Sequence, residues 1–387
     1  MIKRVRIKNY RSLGDVDVEL GPLTVLVGPN ASGKSNFVDA LKFISDALNT
    51  RLEAAIVNRR GFSQLSRYRA RVLRLELLME IRYRRAEPVP AEYAIELEAS
   101  EDADAGFRVR REVCKIGTEG DLAEYETYEG EWRKEPVEPE RDAARRRFPR
   151  SLPDAPQDEL ALRSSRLFLP FYRVERHLQG IRSYTVFPES LRADQAYRPA
   201  LLLDEAGTNL ASVLKEQFSK DSASRIRLIN TLSSIVESAS GFEIQTAGDR
   251  LVIKVSHYQP GGRAHAFDAA VESDGTLRTL ALLAALYQKR RPSLTIIEEP
   301  ELHLQPGAMA VLVDVLREAS LRGQILVTTQ SADLMNELES DELRVVEKID
   351  GVTHIGPVDD EHRKTVEMEL FTPGDLIRVE GFRRQAG

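Results

Sequence analysis

Residues 28–35 read Gly-Pro-Asn-Ala-Ser-Gly-Lys-Ser, and no other stretch limits the possible folds of this chain as tightly. The octapeptide fits Gly, any four residues, then Gly-Lys-Ser/Thr without a mismatch. Leu23 to Val27 before it is a continuous apolar run, as in a strand buried on both faces. Behind it Phe37, Leu41, Ile44 and Leu48 recur at helical spacing. A loop of small residues between a buried strand and a helix turns its backbone N–H groups towards an anion, and the helix N-terminus adds partial positive charge. Gly28 and Gly33 let the backbone come close to phosphate. Pro29, Asn30, Ala31 and Ser32 complete the wrap. Lys34 is expected to place a full charge on the β- and γ-phosphates, and the Ser35 hydroxyl to bind Mg²⁺. The expected ligands are therefore ATP and Mg²⁺. A plain glycine turn is the alternative, which motif and context together disfavour.

A phosphate loop needs a partner strand that ends in an acid near the metal. Leu294-Thr295-Ile296-Ile297-Glu298-Glu299-Pro300 has that form. Glu298 is expected at the Mg²⁺ site, directly or through a water, and Glu299 is expected to orient or deprotonate the attacking water. A strand running into an acidic, solvated turn is the alternative, and the phosphate loop in the same chain weighs against it.

The alternation around these motifs sets the fold. Ile2 to Ile7 and Val16 to Leu20 alternate like half-buried strands, and Arg71 to Trp132 reads as an antiparallel meander. A charged stretch from Lys134 to Gln157 carries Pro136, Pro139, Pro149, Pro153 and Pro156, as a linker or exposed loop would. Helical segments follow at 160–172, 209–218 and 226–239, then strands at 242–245 and 251–255. Helix 276–287, strand 294–297, helix 308–319 and strand 324–328 then alternate, which predicts a mostly parallel α/β core. The expected division is 1–135, phosphate loop and β lobe; 136–240, linker and helical insertion serving as lid or dimerisation arm; 241–358, second part of the head; and 359–387, a tail.

Composition narrows the class. The 387 residues suffice for two or three domains. No apolar run approaches the ~20 residues needed to span a bilayer, and the start lacks the apolar core of a secretory signal. The single Cys114 excludes an intrachain disulfide. A cytoplasmic protein without a membrane partner is expected. The formal charge of −6 gives no global attraction to nucleic acid, so any such surface must be a local patch. Arg59-Arg60, Arg67 to Arg74, and Arg145-Arg146-Arg147 with Arg150 are candidates for DNA contact, a solvated face being the alternative. Trp132 and Tyr128 could stack on bases, but sheet packing suits them better.

Together these residues resemble the ABC-type ATPase heads of the SMC, RecF and OLD families. The opening IKRVRIKNYRSLGDVDVELGPLTVLVGPNASGKSNFVDAL is similar to the start of those heads, and Glu298-Glu299-Pro300-Glu301-Leu302-His303-Leu304 is similar to the OLD-like acidic strand and D-loop. LLLDEAGTNLASVL at 201–214 is similar to a segment of uncharacterised ATPases in that branch. The resemblance implies a phosphate-loop α/β head with an antiparallel β lobe and a helical insertion. It also implies a homodimer that sandwiches ATP, with Ser273, Asp274 and Gly275 capping the nucleotide in trans. Small residues opening a helix do form an anion site, while an ordinary N-cap at Ser273 or Asp274 is the competing account. Gln330 of Val327-Thr328-Thr329-Gln330-Ser331 stands where the resembled heads carry a switch histidine. It can hydrogen-bond a phosphate or water but carries no proton near neutral pH, which implies slow turnover. Gln64 is placed at the metal, Arg11 and Asn36 with the ATP contacts, and His303 as structural. No Toprim-like unit follows Leu334, so no nuclease activity is expected, and the heptads of a long coiled coil are absent. The implied function is an ATP-hydrolysing switch acting on DNA, in repair or defence. A sensor or scaffold subunit for a separate effector such as a nuclease, with no DNA binding of its own, is the alternative. A transporter-type ATPase would need a membrane partner, and the RecF-like opening argues against it.

Overall fold

The computed structural model describes residues 1–82, 87–100, 106–119, 121–137, 154, 156–165, 168–218, 221–259, 263–368, 370–379 and 383–385. Strands β1 (Ile2–Tyr10) and β2 (Leu13–Glu19) form a hairpin whose turn holds Arg11 at φ 48°. β3 (Leu23–Val27) is buried along its whole length, and after the phosphate loop the chain enters helix α1 (Lys34–Asn49). The predicted meander is β4 (Val72–Ile81), β5 (Val89–Ala99), β6 (Phe107–Ile116), β7 (Ala123–Tyr128) and β8 (Glu131–Val137). Helix α2 (Leu169–Gln179) leads into the short β9 (Ile181–Tyr184).

A small sheet comes next. β10 (Gln195–Ala196) precedes helix α3 (Ser222–Ile235), which is followed by β11 (Ala239–Ala247), β12 (Arg250–Tyr258) and β13 (Ala264–Asp268). β12 pairs with β11 on one edge and with β10 and β13 on the other. The chain then returns through α4 (Asp274–Tyr287), β14 (Leu294–Glu298), α5 (Met309–Ser320), β15 (Gln324–Thr329), the hairpin β16 (Leu343–Ile349) and β17 (Val352–Gly356), and α6 (Pro373–Val379).

Among the described residues the main sheet has thirteen strands in the order β8-β7-β6-β5-β4-β1-β2-β17-β16-β3-β15-β14-β9. Its β8-to-β2 half is antiparallel, and β16, β3, β15, β14 and β9 run parallel. Strands buried on both faces need continuous apolar sequence, which LTVLV, LTIIE and QILVTT supply. Leu26 joins the core on the α1 side of the sheet, while Leu23, Val25 and Val27 join the core formed with α3, α4 and α5.

This architecture corrects the expected division. Segment 136–240 does not stand apart, because β9 within it is the edge strand of the main sheet beside β14. α2 belongs to the same body: Ser45 of α1 donates to the carbonyls of Gln179 (3.3 Å) and Ile181 (3.2 Å). A four-residue edge strand, IRSY, carries too little pattern to be read. The β lobe is likewise continuous with the head sheet through the β1–β4 pairing. Segment 359–387 also reaches the head: Leu376 is buried in the core and Gly374 N–H donates to Asn336 Oδ1 (2.7 Å). Arg145, Arg146, Arg147 and Arg150 lie outside the described residues.

Candidate nucleotide site

The loop from β3 to α1 turns through two residues at positive φ, Ala31 at 61° and Gly33 at 115°. Its glycines have a reason beyond phosphate approach. A Cβ on Gly28 would lie 2.2 Å from the Val346 carbonyl of β16, and one on Gly33 would lie 2.1 Å from Thr353 Oγ1 of β17. Thr353 in turn donates to the Ser32 carbonyl (2.7 Å) and shares a hydrogen bond with Ser12 (2.7 Å). The loop is therefore held from outside by residues more than 300 positions away in sequence.

Lys34 Nζ donates to the carbonyls of Gly28 (2.7 Å) and Pro29 (3.0 Å). Burial lowers its pKa, and the carboxylates of Glu299, Glu301 and Glu298 oppose that shift. The ammonium sits where the loop opens and faces three acids, so an anion brought between them meets both the lysine and the N-terminus of α1.

β15 lies between β3 and β14, in the register Leu26–Thr328–Glu298. Two strand spacings, roughly 10 Å, therefore separate the backbone of the acid strand from that of the loop strand. The loop closes this gap: Ser35 Oγ donates to Glu298 Oε2 at 3.0 Å. Burial pushes the Glu298 carboxyl up, and the Ser35 hydroxyl pulls it down. A hydroxyl and a half-buried carboxylate converging on one point form the oxygen donor set that Mg²⁺ prefers.

Glu299 sits at φ 48°, with its amide donating to the Thr328 carbonyl (2.9 Å). The carbonyls of Glu298 and Glu299 both accept from Arg278 of α4 (3.2 and 3.1 Å). Both carboxylates line a cavity of about 410 Å³ together with Thr185–Glu189, Asp274, Leu302 and His303. The Thr185–Glu189 segment follows β9, and its place here follows from β9 pairing beside β14. Sequence reading missed it, and also missed Glu301. The Glu301 carboxyl is buried, accepts from Thr329 Oγ1, and is pushed up by burial; among the described residues its Oε2 has no hydrogen-bond partner. The third acid of Glu-Glu-Pro-Glu was the available signal.

The other expected residues divide. Gln330, at the end of β15, lines a cavity of about 700 Å³ with Gly28, Pro29 and Asn30. Ser273 is the N-cap of α4: its Oγ accepts from Thr276 N–H (3.1 Å), and the residue remains exposed. Asp274 already has an intrachain partner in Arg192 (2.5 Å). Gly275 leaves room for a neighbour, since a Cβ there would lie 2.6 Å from the His303 carbonyl. His303 itself is exposed at φ 67°. Asn36 donates to Ser12 Oγ (2.6 Å) and so braces the loop against the β1–β2 turn. Arg11 pairs with Asp39 of α1 (3.1 Å).

Gln64 needs correction as a metal-site residue. It is exposed on the short helix Phe62–Leu65, whose Phe62 stacks on Phe107 of the antiparallel half, and it does not line the cavity of Glu298 and Glu299. Arg59 needs correction as a DNA contact. It is buried and engaged by Asp39, Asp46 and the Ala55 carbonyl. Trp132 packs edge-on against Tyr125. Among the described residues no helix is long and apolar enough to cross a membrane.

A phosphate loop, an acid strand set one strand away from it, and a capped helix opening beside the same acids place the chain among ABC-type ATPase heads of the SMC, RecF and OLD kind. It belongs to the family described as "AAA domain, putative AbiEii toxin, Type IV TA system", which matches residues 23–336. Over 44 residues it is 48% identical to an OLD nuclease of Thermus scotoductus, covering 11% of this chain and 8% of that protein. Over 45 residues it is 44% identical to the DNA replication and repair protein RecF of Streptococcus uberis, covering 11% of this chain and 12% of that one. The chain thus matches only about a tenth of the length of these curated relatives. Among solved structures, it is similar in fold to an Smc head bound to the C-winged helix domain of ScpA, with TM-score 0.53, 16% identity and coverage of 94% of this chain and 99% of that one. An Smc head with an extended coiled coil from Pyrococcus furiosus, bound to the C-terminal domain of ScpA, gives TM-score 0.50, 15% identity and coverage of 95% and 99%.

Proposed function

We propose that this chain binds and hydrolyses ATP as a switch between an open state and a closed homodimer. The observation that carries the reading is the 3.0 Å contact between Ser35 of the phosphate loop and Glu298 of the acid strand, 263 residues apart. Ser35 and Glu298 would hold Mg²⁺, which would supply charge to offset that developing on the phosphates. The backbone of Gly28 to Gly33 and the N-terminus of α1 orient the phosphates, and Lys34 neutralises them. Glu299 positions and deprotonates the attacking water. Gln330, beside Gly28 and Pro29, hydrogen-bonds the γ-phosphate or that water without exchanging a proton, which keeps turnover slow. Arg11 and Asn36 act by bracing α1 and the loop.

The second subunit would contribute Ser273, Asp274 and Gly275, at the exposed N-terminus of α4, to the nucleotide of the first. The names of the curated relatives, an OLD nuclease and the DNA replication and repair protein RecF, favour an output on DNA, in repair or in defence against foreign DNA. A second reading, control of a separate effector protein, draws on the solved heads that hold a ScpA domain.

Mixing two inactive variants tests the dimer. Ser273→Arg should bind Mg·ATP but hydrolyse it poorly, while Lys34→Ala should lose most ATP affinity and stay folded. One composite site in each heterodimer is then whole, and mixing should restore up to about half of the activity if one site fires alone. Full activity of a strictly monomeric enzyme, with no rescue on mixing, would remove the basis for the sandwich. Running the same assay with duplex and single-stranded DNA separates the two outputs.

A further inference from the structure

At the other end of the parallel strands lies a cavity of about 460 Å³ lined by Arg82, Arg173, Arg176, Arg182, Arg290 and Arg291. Among the described residues no aspartate or glutamate lines it. In a chain with a net charge of −6 this is a marked local excess of cation. Among the described residues Arg82, Arg176, Arg182 and Arg290 make no ion pair and no side-chain hydrogen bond, and Arg291 donates only to the Arg322 carbonyl (3.2 Å). By contrast, arginines of the antiparallel half such as Arg4, Arg74 and Arg111 are matched with carboxylates. Burial and the neighbouring Arg322 push the Arg291 pKa down, as expected of crowded cations that lack an anion.

A second feature of the lining agrees. His177 Nε2 is buried without a hydrogen-bond partner among the described residues. Burial and the α-amino group of Met1 hold this imidazole at about 3, so it is neutral beside the arginines. Tyr172 lines the same cavity and is 42% exposed, leaving ring surface for stacking.

The place of the cavity separates it from the nucleotide site. Gly180 and Ser293, the residues just before β9 and β14, line it. Glu298 ends β14 five residues beyond Ser293, about 17 Å away along the strand.

The geometry points to a second anion site for a nucleoside phosphate ligand carrying two or more phosphate groups. Guanidinium forks bind phosphate oxygens in pairs, so the four of Arg82, Arg176, Arg182 and Arg290 suit a ligand with more than one phosphate group. The volume falls within the ~300–1,000 Å³ of small-ligand pockets, and Tyr172 offers a base a stacking face. The ligand is either a free nucleotide polyphosphate or the phosphorylated end of a single strand. This assignment does not rest on the proposed ATPase reaction.

The test uses the full chain carrying Lys34→Ala, which weakens the phosphate loop. Sodium tripolyphosphate is titrated by calorimetry, and short labelled oligothymidylates with 5′-phosphate or 5′-hydroxyl ends are followed by anisotropy. Arg176→Glu with Arg290→Glu, both exposed positions, should weaken binding by about tenfold or more. The paired lysine changes should weaken it less, keeping charge without the fork. Unchanged thermal melts show that these variants remain folded. Preference for the 5′-phosphorylated strand assigns a strand end, and binding of tripolyphosphate alone assigns a free nucleotide. No binding of any probe at about 1 mM, or equal affinity in the charge-reversed variant, overturns the site.

Discussion

The two halves of the main sheet treat their carboxylates in opposite ways. In the antiparallel half, acids meet partners across the strands: Asp17 with Arg4 and Arg6, Glu76 with Arg6 and Arg74, Glu98 with Arg108, Glu126 with Arg111. Even the fully buried Glu112 accepts from Tyr93 (2.9 Å) and Tyr125 (2.7 Å) and from the amides of Ala161 and Leu162. At the ends of the parallel strands, among the described residues, the Glu298 carboxylate accepts one hydrogen bond, from Ser35, and Glu301 keeps an unpartnered carboxylate oxygen. A buried acid with all its partners holds the scaffold together, whereas one left short of donors is a place where an external cation or water completes the set.

The largest test of that contrast is Glu299→Gln. The amide keeps the shape and the strained backbone but cannot accept a proton. Turnover should fall by about 10²–10⁴-fold, the usual contribution of a general base, while calorimetry shows Mg·ATP binding little changed. Unaltered turnover would mean that Glu299 is not the working acid at this strand end, and would leave that role to Glu298 or to a chain of waters.

Next in size is Glu112→Ala, aimed at the satisfied acid. It leaves two tyrosine hydroxyls and two amides without their acceptor. Urea unfolding should show a loss of about 3–5 kcal/mol, with ATP affinity of the remaining folded protein unchanged. A loss confined to ATP binding would reverse the roles assigned to the two halves.

Gly275→Ala is a smaller change at the parallel end. Its Cβ would press on the His303 carbonyl, so the Glu299–Leu304 turn must move by a few tenths of an ångström or more. We expect turnover to fall several-fold at a stability cost of about 1–3 kcal/mol. Wild-type turnover would show that the position of this turn does not matter to the acids.

The same contrast explains what could be read in advance. β3, its loop and α1 were legible because a buried strand, a fixed motif and a helical repeat are all local patterns. β14 was legible because an apolar run stops abruptly at two acids. What could not be read depends on chain-distant contacts. Gly33 is required by Thr353 as well as by its own φ. Arg59 is spent on Asp39 and Asp46, although in sequence it looks like half of a basic cluster. Gln64 was placed by residue type alone, and its helix lies over the antiparallel half. The arginines of the second cavity come from β9, from α2, and from the segments flanking β4 and β14, so no window of sequence contains them together.

The smallest effect is a slope with pH, and it asks which of two forces rules Glu112. Its four donors favour the carboxylate, while complete burial disfavours it, and burial wins: the pKa is raised from the ordinary 4.5. A raised acid binds its proton more tightly in the folded chain than in the unfolded one. Its stabilising contribution is therefore fully present below about 4.5 and is lost as pH rises through the folded value. Glu112→Gln removes the titration and nearly keeps the shape. Urea melts of both proteins at matched pH values should show the wild type losing stability relative to the variant as pH rises from acid to neutral. The opposite slope, with the wild type gaining on the variant as pH rises, would mean that the four donors outweigh burial and hold the acid ionised. Glu112 would then be a fixed negative charge in the scaffold, and being fully partnered would no longer separate it from the acids beside Ser35 by charge, only by access to solvent.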